Sequence, residues 1–191
     1  MKLFLLAVGW LLASTALAAE TNAPPVVPES QLKHLKFDQK QNEKEKPPKV
    51  TPLSFSQEFI LKQDRKDIKA ILARHLGILD LHGDKRDLST IQQLIDRNVL
   101  KPKQLKQWQE VGVVFGDILA NEFGLHWVSY QDDEGLSTAL QWRDTQNFVF
   151  PVTMFSKRVE FGDKVNVDKL YNKIAEDVRQ FIAYESKIPR E

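Results

Sequence analysis

The chain has 191 residues, 42% of them hydrophobic, and its 27 basic and 26 acidic residues give a net charge of +1. This balance disfavours nucleic acid as a partner, because proteins that bind phosphate backbones usually carry a basic excess. The sequence has no cysteine, which excludes disulfides, thiol nucleophiles, thiolate metal sites and a lipid carried on cysteine.

Residues 1–18 have the features of a cleavable signal peptide. Lys2 supplies the positive start, Leu3 to Leu12 form a nearly unbroken apolar run, and Ala16 to Ala18 give the small-residue pattern that signal peptidase recognises. The alternative is an uncleaved anchor, but a spanning helix needs about 20 apolar residues and the run is shorter. We therefore expect cleavage after residue 18, no membrane span thereafter, and a periplasmic or secreted protein.

Residues 19–52 are predicted to be a disordered tether rich in proline and lysine. Prolines recur along it and large apolar side chains are few, so it cannot bury enough surface to offset the entropy of ordering. The alternative is a partner-binding arm around Leu32, Leu35 and Phe37.

A single domain is predicted over residues 53–187, and it begins with three helices. The first is expected to start at Ser56 and end at Gly77, with a kink at which Asp64 caps a second segment. Its inner face is predicted to contain Phe59, Ile60, Ile68, Ile71, Leu72 and Leu76. Ser89 is expected to cap a helix over residues 90–98. A longer helix is expected from Pro102 to Phe123, closed by Gly124.

The hydrophobic period then changes from helical to alternating. Strands are predicted at residues 125–131, 136–142 and 148–150, with an acidic hairpin turn at residues 132–135. Residues 151–161 favour a short helix, with a strand as the alternative, and a last helix starts at Asn166 or Asp168. The predicted fold is therefore α+β: N-terminal helices, a small antiparallel three-stranded sheet, and helices on one face of that sheet.

Gly112, Gly116 and Ala120 form a stripe of small residues along the third helix. Each helical glycine costs about 1 kcal/mol relative to alanine, so a close neighbour should compensate. We expect packing against another helix or the sheet; the alternative is space for a ligand.

Motifs for catalysis and metal binding are absent from the sequence. The histidines at positions 34, 75, 82 and 126 do not have the spacing of metal ligands, and no nucleophile elbow, P-loop or dinucleotide fingerprint occurs. We therefore predict no catalytic residue, no metal and no cofactor. Paired carboxylates for glycan hydrolysis, such as Glu122 or Asp133, stay open as an alternative because their spacing is spatial and not sequential.

One group of polar and aromatic residues near the predicted sheet is a candidate partner-binding site. Tryptophan, tyrosine and arginine dominate binding hot spots, and the group consists of His126, Trp127, Tyr130, Trp142, Lys157 and Arg158. The alternative is that the two tryptophans are core residues and that Lys157 and Arg158 belong to a solvated surface.

Several short motifs in the C-terminal half resemble a family of exported bacterial proteins known only as a domain of unknown function. They are residues 112–117 (GVVFGD), residues 125–128 (LHWV), the turn at residues 133–135, and Pro151 followed by the pair Lys157 and Arg158. The resemblance implies no activity, cofactor or catalytic residue. A looser similarity to immunity-type domains implies toxin binding as a further alternative.

The absence of catalytic motifs, the balanced charge and the group of aromatic and basic residues together favour a non-enzymatic binding or interaction module.

Overall fold

The computed structural model describes residues 47–187, in which three helices lie in sequence between the first strand and the other strands of the sheet. The predicted signal peptide, the arm around Leu35 and most of the predicted tether lie outside these residues. Helix α1 spans Phe55–Leu76, α2 spans Arg86–Asp96 and α3 spans Leu105–Phe123. Gly77 and Gly124 end α1 and α3 in the left-handed conformation, as predicted.

Helix α1 differs from its prediction in its start and its inner face. Ser54, not Ser56, is the N-cap, and its side chain and that of Gln57 form a capping box. The helix is continuous, and Asp64 is buried within it. Phe59 and Ile60, predicted to face inward, are 59% and 52% exposed. The rest of the predicted inner face is confirmed, because Ile68 and Leu72 are buried and Ile71 and Leu76 pack against the core. Only the first turns differ, where Leu61 and Asp64 occupy the inward positions.

Helix α2 begins earlier than predicted, so Ser89 lies inside it and does not cap it. Asp87 in the first turn is buried, and its carboxylate accepts hydrogen bonds from the backbone N–H of Gly83 at 2.6 Å and contacts His82 Nδ1 at 3.2 Å. An aspartate, and not a serine, therefore organises this end of the helix.

The sheet has four antiparallel strands in the order β1-β2-β3-β4, where three were predicted. Strand β1 spans Lys49–Pro52, β2 Leu125–Asp132, β3 Gly135–Trp142 and β4 Phe148–Val149. The extra strand is β1, which lies within the segment assigned to the tether. It pairs with residues 128–131 of β2, and this backbone pairing orders a segment whose composition alone favours disorder.

The rest of the domain follows the predicted order. A 3-10 turn at Pro151–Thr153 leads into α4 (Met154–Glu160), and Asn166 caps α5 (Val167–Glu185). The helices and one face of the sheet enclose the core, whose largest buried side chains include Phe115, Phe155 and Leu140. The fold is α+β, as predicted. Within residues 47–187, no helix is both long enough and apolar enough to cross a membrane.

The small-residue stripe of α3 packs closely, as expected. A Cβ atom at Gly112 would lie 2.5 Å from the carbonyl oxygen of Val152 and still closer to that of Pro151. At Gly116 it would lie 2.6 Å from the Trp127 ring. These glycines let α3 approach the 3-10 turn and the sheet more closely than any side chain permits.

Candidate functional site

The two faces of the sheet have different surroundings. Pairing places Leu125 opposite Trp142, Trp127 opposite Leu140, and Leu140 opposite Val149. All of these residues belong to the hydrophobic core or pack against it. Ser129, on the same face, accepts a hydrogen bond from Gln57 of α1 at 3.1 Å. We call this helix-covered side the inner face.

The opposite side, which we call the outer face, is also largely apolar. Its residues are Val50, Pro52, His126, Val128, Tyr130, Ser137, Ala139, Gln141 and Phe148, followed by Phe150. The Tyr130 ring packs edge-on against Phe148 at 4.9 Å and against Phe150 at 5.1 Å. Val128 and Ala139 are buried although neither belongs to the core formed with the helices. Antiparallel sheets with one covered face usually alternate apolar and polar residues, so a second apolar face requires an explanation.

A pocket of about 490 Å³ lies at one end of the outer face, beside the last residues of β1. His126, Val128 and Gln141 line it from the sheet, and Glu58 and Asp144 line it from α1 and the β3–β4 turn. Gln141 is 6% exposed and its Nε2 donates to the carbonyl of Thr145 at 2.8 Å. The pocket therefore combines an apolar wall with two carboxylates.

The structure separates the six residues of the predicted cluster into three places. His126 and Tyr130 lie on the outer face. Trp127 and Trp142 lie on the inner face, where Trp142 is 6% exposed and contacts Phe181 of α5 at a ring distance of 6.5 Å.

Lys157 and Arg158 lie on α4, where Lys157 is exposed and Arg158 is partly buried. Trp142 is therefore a core residue and Trp127 packs against the core, which is the alternative to a partner-binding role for these two residues. Phe148 and Phe150, which were not among the predicted site residues, lie beside Tyr130 on the outer face.

The indole N–H of Trp127 is satisfied by a hydrogen bond within the domain. Its Nε1–H donates to Asp117 at 3.0 Å, and Arg65 binds the same carboxylate through two hydrogen bonds of 2.6 and 2.7 Å. This hydrogen bonding, opposed by burial, raises the pKa of Arg65 above its ordinary value. The three side chains join α1, α3 and β2, so we assign them to the architecture and not to ligand binding.

The carboxylates considered for glycan hydrolysis do not converge. Glu122 stands near the end of α3 and forms an ion pair with Lys85, whereas Asp133 is exposed in the turn after β2. Strand β2 lies between these ends, and its eight residues extend over roughly 25 Å. Glycosidases need their two carboxyl groups within about 10 Å. Within residues 47–187, no cluster of three or more acidic or histidine residues could hold a metal ion.

A second group of carboxylates is buried between α1 and α3. Asp64 and Glu110 are each 4% exposed; Lys106 pairs with Asp64 and lies 3.9 Å from Glu110. In the part of the chain that the structure describes, Glu110 Oε2 has no hydrogen-bond partner. Burial, opposed by Lys106 and assisted by Asp64 and Asp67, raises the pKa of Glu110. The sequence offered no signal for this group, because its two buried carboxylates, Asp64 and Glu110, belong to different helices that are remote from each other along the chain.

We predict that Glu110→Gln raises the melting temperature at pH 7 by about 2–4 °C, equivalent to about 1 kcal/mol for a chain of this size. A raised pKa in the folded state means that the folded protein favours the protonated form of the Glu110 carboxyl. The contribution of this group to stability is therefore fully present below its pKa in the unfolded chain, and it is lost as the pH rises through its pKa in the folded protein. Glutamine stays neutral throughout, so the difference should vanish below about pH 4. Thermal unfolding from pH 3 to 8 measures it.

Glu160→Gln, at an exposed position of α4, is the matched control and should leave the melting temperature nearly unchanged at every pH. A Glu110→Gln protein that is less stable than the parent at pH 7 would contradict the inference that burial disfavours the charged form of Glu110.

The geometry defines an α+β domain with a two-sided apolar antiparallel sheet. Residues 87–171 match the family model described as Domain of unknown function (DUF3806), which confirms the resemblance drawn from the C-terminal half of the sequence. The matched region runs from the start of α2 into the first turns of α5 and includes α3, β2, β3 and β4.

One solved structure has a similar fold. A crystal structure from Bacteroides thetaiotaomicron VPI-5482, at 1.50 Å resolution, matches 70% of this chain with a TM-score of 0.63 and 22% sequence identity. This chain spans 49% of that protein's length, and the likeness extends to the fold alone. No curated protein matches the sequence.

Proposed function

We propose that this chain is an exported, non-enzymatic binding module that holds a protein partner against the outer face of its sheet. The observation that carries the proposal is the outer face itself. It is apolar and aromatic, whereas the helix–strand side-chain contacts described above use inner-face residues such as Trp127 and Ser129. Tyr130, Phe148 and Phe150 are only partly buried on this face, and accessible apolar side chains that adjoin one another often mark an interaction site.

The charges around the outer face indicate what kind of segment it accepts. Asp132, Asp133 and Glu134 are exposed at the hairpin end of β2 and β3, and Glu58 and Asp144 are exposed at the opposite end. Complementary charge improves both the rate and the specificity of association. The partner is therefore proposed to present apolar side chains flanked by lysine or arginine.

The aromatic residues are suited to act as the anchor of this interface. Tyr130, Phe148 and Phe150 are partly buried against one another, so their side chains have already lost much of the freedom that binding would otherwise remove. Aromatic anchors of this kind carry a large share of binding energy at protein interfaces. Export follows from the predicted signal peptide and belongs to the same proposal.

Site-specific photo-crosslinking in cells tests the proposal with the full chain. A photoreactive phenylalanine analogue at Phe148 should yield one dominant adduct, and adding Glu58→Gln with Asp144→Asn should reduce its yield by at least fivefold. The same analogue at Leu79, which is 75% exposed and outside the sheet, is the matched control. The adduct should contain a protein with an apolar segment between basic residues.

Three results would contradict the proposal. They are an adduct no stronger than at Leu79, an adduct with twice the mass of this chain, which would indicate self-association, and an adduct that is insensitive to the two carboxylate substitutions.

A further inference from the structure

A second pocket, whose lining shares no residue with the pocket at the outer face, lies between the end of α4 and the first turns of α5. Its volume is about 290 Å³. The charged side chains that line it are Arg158, Asp163, Lys164, Lys169 and Lys173. We call it the basic pocket. Four cations thus converge with a single carboxylate in a chain whose overall net charge is only +1.

The basic pocket carries an excess of positive charge among the described residues, because Asp163 is the one acidic residue that lines it. Within residues 47–187, none of the four forms an ion pair with an acidic side chain. Lys169 and Lys173 stand four residues apart on α5, which places them on one face of the helix, where like charges destabilise each other. A binding site for an anion accounts for the accumulation of repelling charges.

Among the four cations, Arg158 has a side chain whose orientation is fixed by a hydrogen bond. Its Nη1–H donates to the carbonyl of Met154 one turn earlier, at 2.7 Å, and the side chain is partly buried. One edge of the guanidinium is therefore fixed by its own helix. The remaining N–H donors can present a planar fork to an oxyanion, and the three lysines add point charges around it.

The helix terminus of α5 contributes little to this pocket. The backbone N–H of Val167 is bound by Gln92 at 2.8 Å, and that of Lys169 by the Asn166 side chain at 2.8 Å. Recognition must come from the side chains of the four cations.

The number of positive charges in the basic pocket indicates which class of anion fits it. One carboxylate would neutralise only one of the four cations. A phosphate monoester carries about −1.5 to −2 charges at pH 7, and a diphosphate carries more. From this geometry we propose that the basic pocket binds a phosphate-bearing ligand, with Arg158 holding the oxyanion and Lys164, Lys169 and Lys173 surrounding it. This site is independent of the outer face and of the function proposed for it.

Titration of the ¹⁵N-labelled protein with inorganic pyrophosphate, followed by NMR, tests the proposal at constant ionic strength. Amide shifts should saturate and should be confined to residues 158–173. Lys169→Gln with Lys173→Gln should weaken binding at least tenfold, and Arg158→Lys should weaken it at least threefold. The matched control is Lys62→Gln with Lys66→Gln, which removes two exposed lysines at the same spacing from α1.

A second arm distinguishes the two sources of phosphate. Cosedimentation with vesicles of phosphatidylglycerol, against vesicles of phosphatidylcholine, detects a lipid headgroup. Saturable pyrophosphate binding supports a soluble ligand, and vesicle binding that requires Lys169 and Lys173 supports a lipid headgroup. The proposal is overturned if neither probe binds, or if the Lys62 and Lys66 control loses as much affinity as the pocket variant.

Discussion

Trp142→Ala should lower the free energy of unfolding by about 3–5 kcal/mol, the usual cost of removing a large aromatic side chain from a core. Trp142 is 6% exposed on the inner face and packs against Phe181. Arg143 adds a cation–π contact, with its guanidinium carbon 4.5 Å from the ring centroid. Chemical denaturation monitored by circular dichroism measures the effect.

Phe161→Ala is the control for this prediction, because Phe161 is 81% exposed and its removal should change stability by less than about 0.5 kcal/mol. A loss below about 1 kcal/mol for Trp142→Ala would mean that the residue is not a core residue and would restore it as a surface anchor. The expected result also makes Trp142 unsuitable as a binding-site probe, since its loss would weaken binding through unfolding.

Gly112→Ala should destabilise the protein by about 2 kcal/mol, although alanine is the better helix former. The new methyl group would collide with the carbonyl oxygens of Pro151 and Val152, and a backbone contact of this kind can be relieved only by moving α3 away from the 3-10 turn. Overpacking costs about 1–3 kcal/mol or more, against roughly 1 kcal/mol gained in helix propensity. Thermal and denaturant unfolding measure the balance.

Two variants separate these contributions. Ala70→Gly, at an exposed position of α1, should cost about 1 kcal/mol and measures propensity alone. The atoms nearest to a Cβ at Gly116 belong to the side chains of Trp127 and Pro151, so we expect Gly116→Ala to be less damaging than Gly112→Ala. A stabilised Gly112→Ala protein would contradict the close approach of α3 to the turn.

Much of the fold could be predicted because local signals agreed with one another. The alternating pattern of β2 predicted that Trp127 and Tyr130 lie on different faces of the sheet, and the structure confirms this. Gly77 and Gly124 marked helix ends, because both positions require a positive φ angle. The short helix after Pro151 followed from helical spacing alone. Each of these features depends on residues within one or two turns of the chain.

The errors share a different cause. Strand β1 was missed because its pairing partner, residues 128–131, lies nearly 80 positions away, and four residues carry too weak a pattern of their own. Phe59 and Ile60 were assigned to the core because a buried aspartate, Asp64, was not expected at an inward position. Both features depend on contacts between distant segments.

The candidate sites show the same division. Composition and residue type identified aromatic and basic residues near the sheet as candidates, and His126 and Tyr130 do share the outer face. Only the register of β2, β3 and β4 brings Phe148 and Phe150 to Tyr130. Only the packing of α4 beside α5 brings Arg158 to Lys169 in the basic pocket.

The sequence by itself determined the α+β class, the order of the helices and strands after residue 53, and the close packing of α3, because local periodicity and glycine placement carry that information. The tertiary structure alone decided that the sheet is apolar on both faces, that Trp127 and Trp142 contribute to the core, and that cations from α4, α5 and the segment between them converge in one pocket. Those features arise when segments remote in sequence come together, and no local pattern encodes which distant side chains will meet.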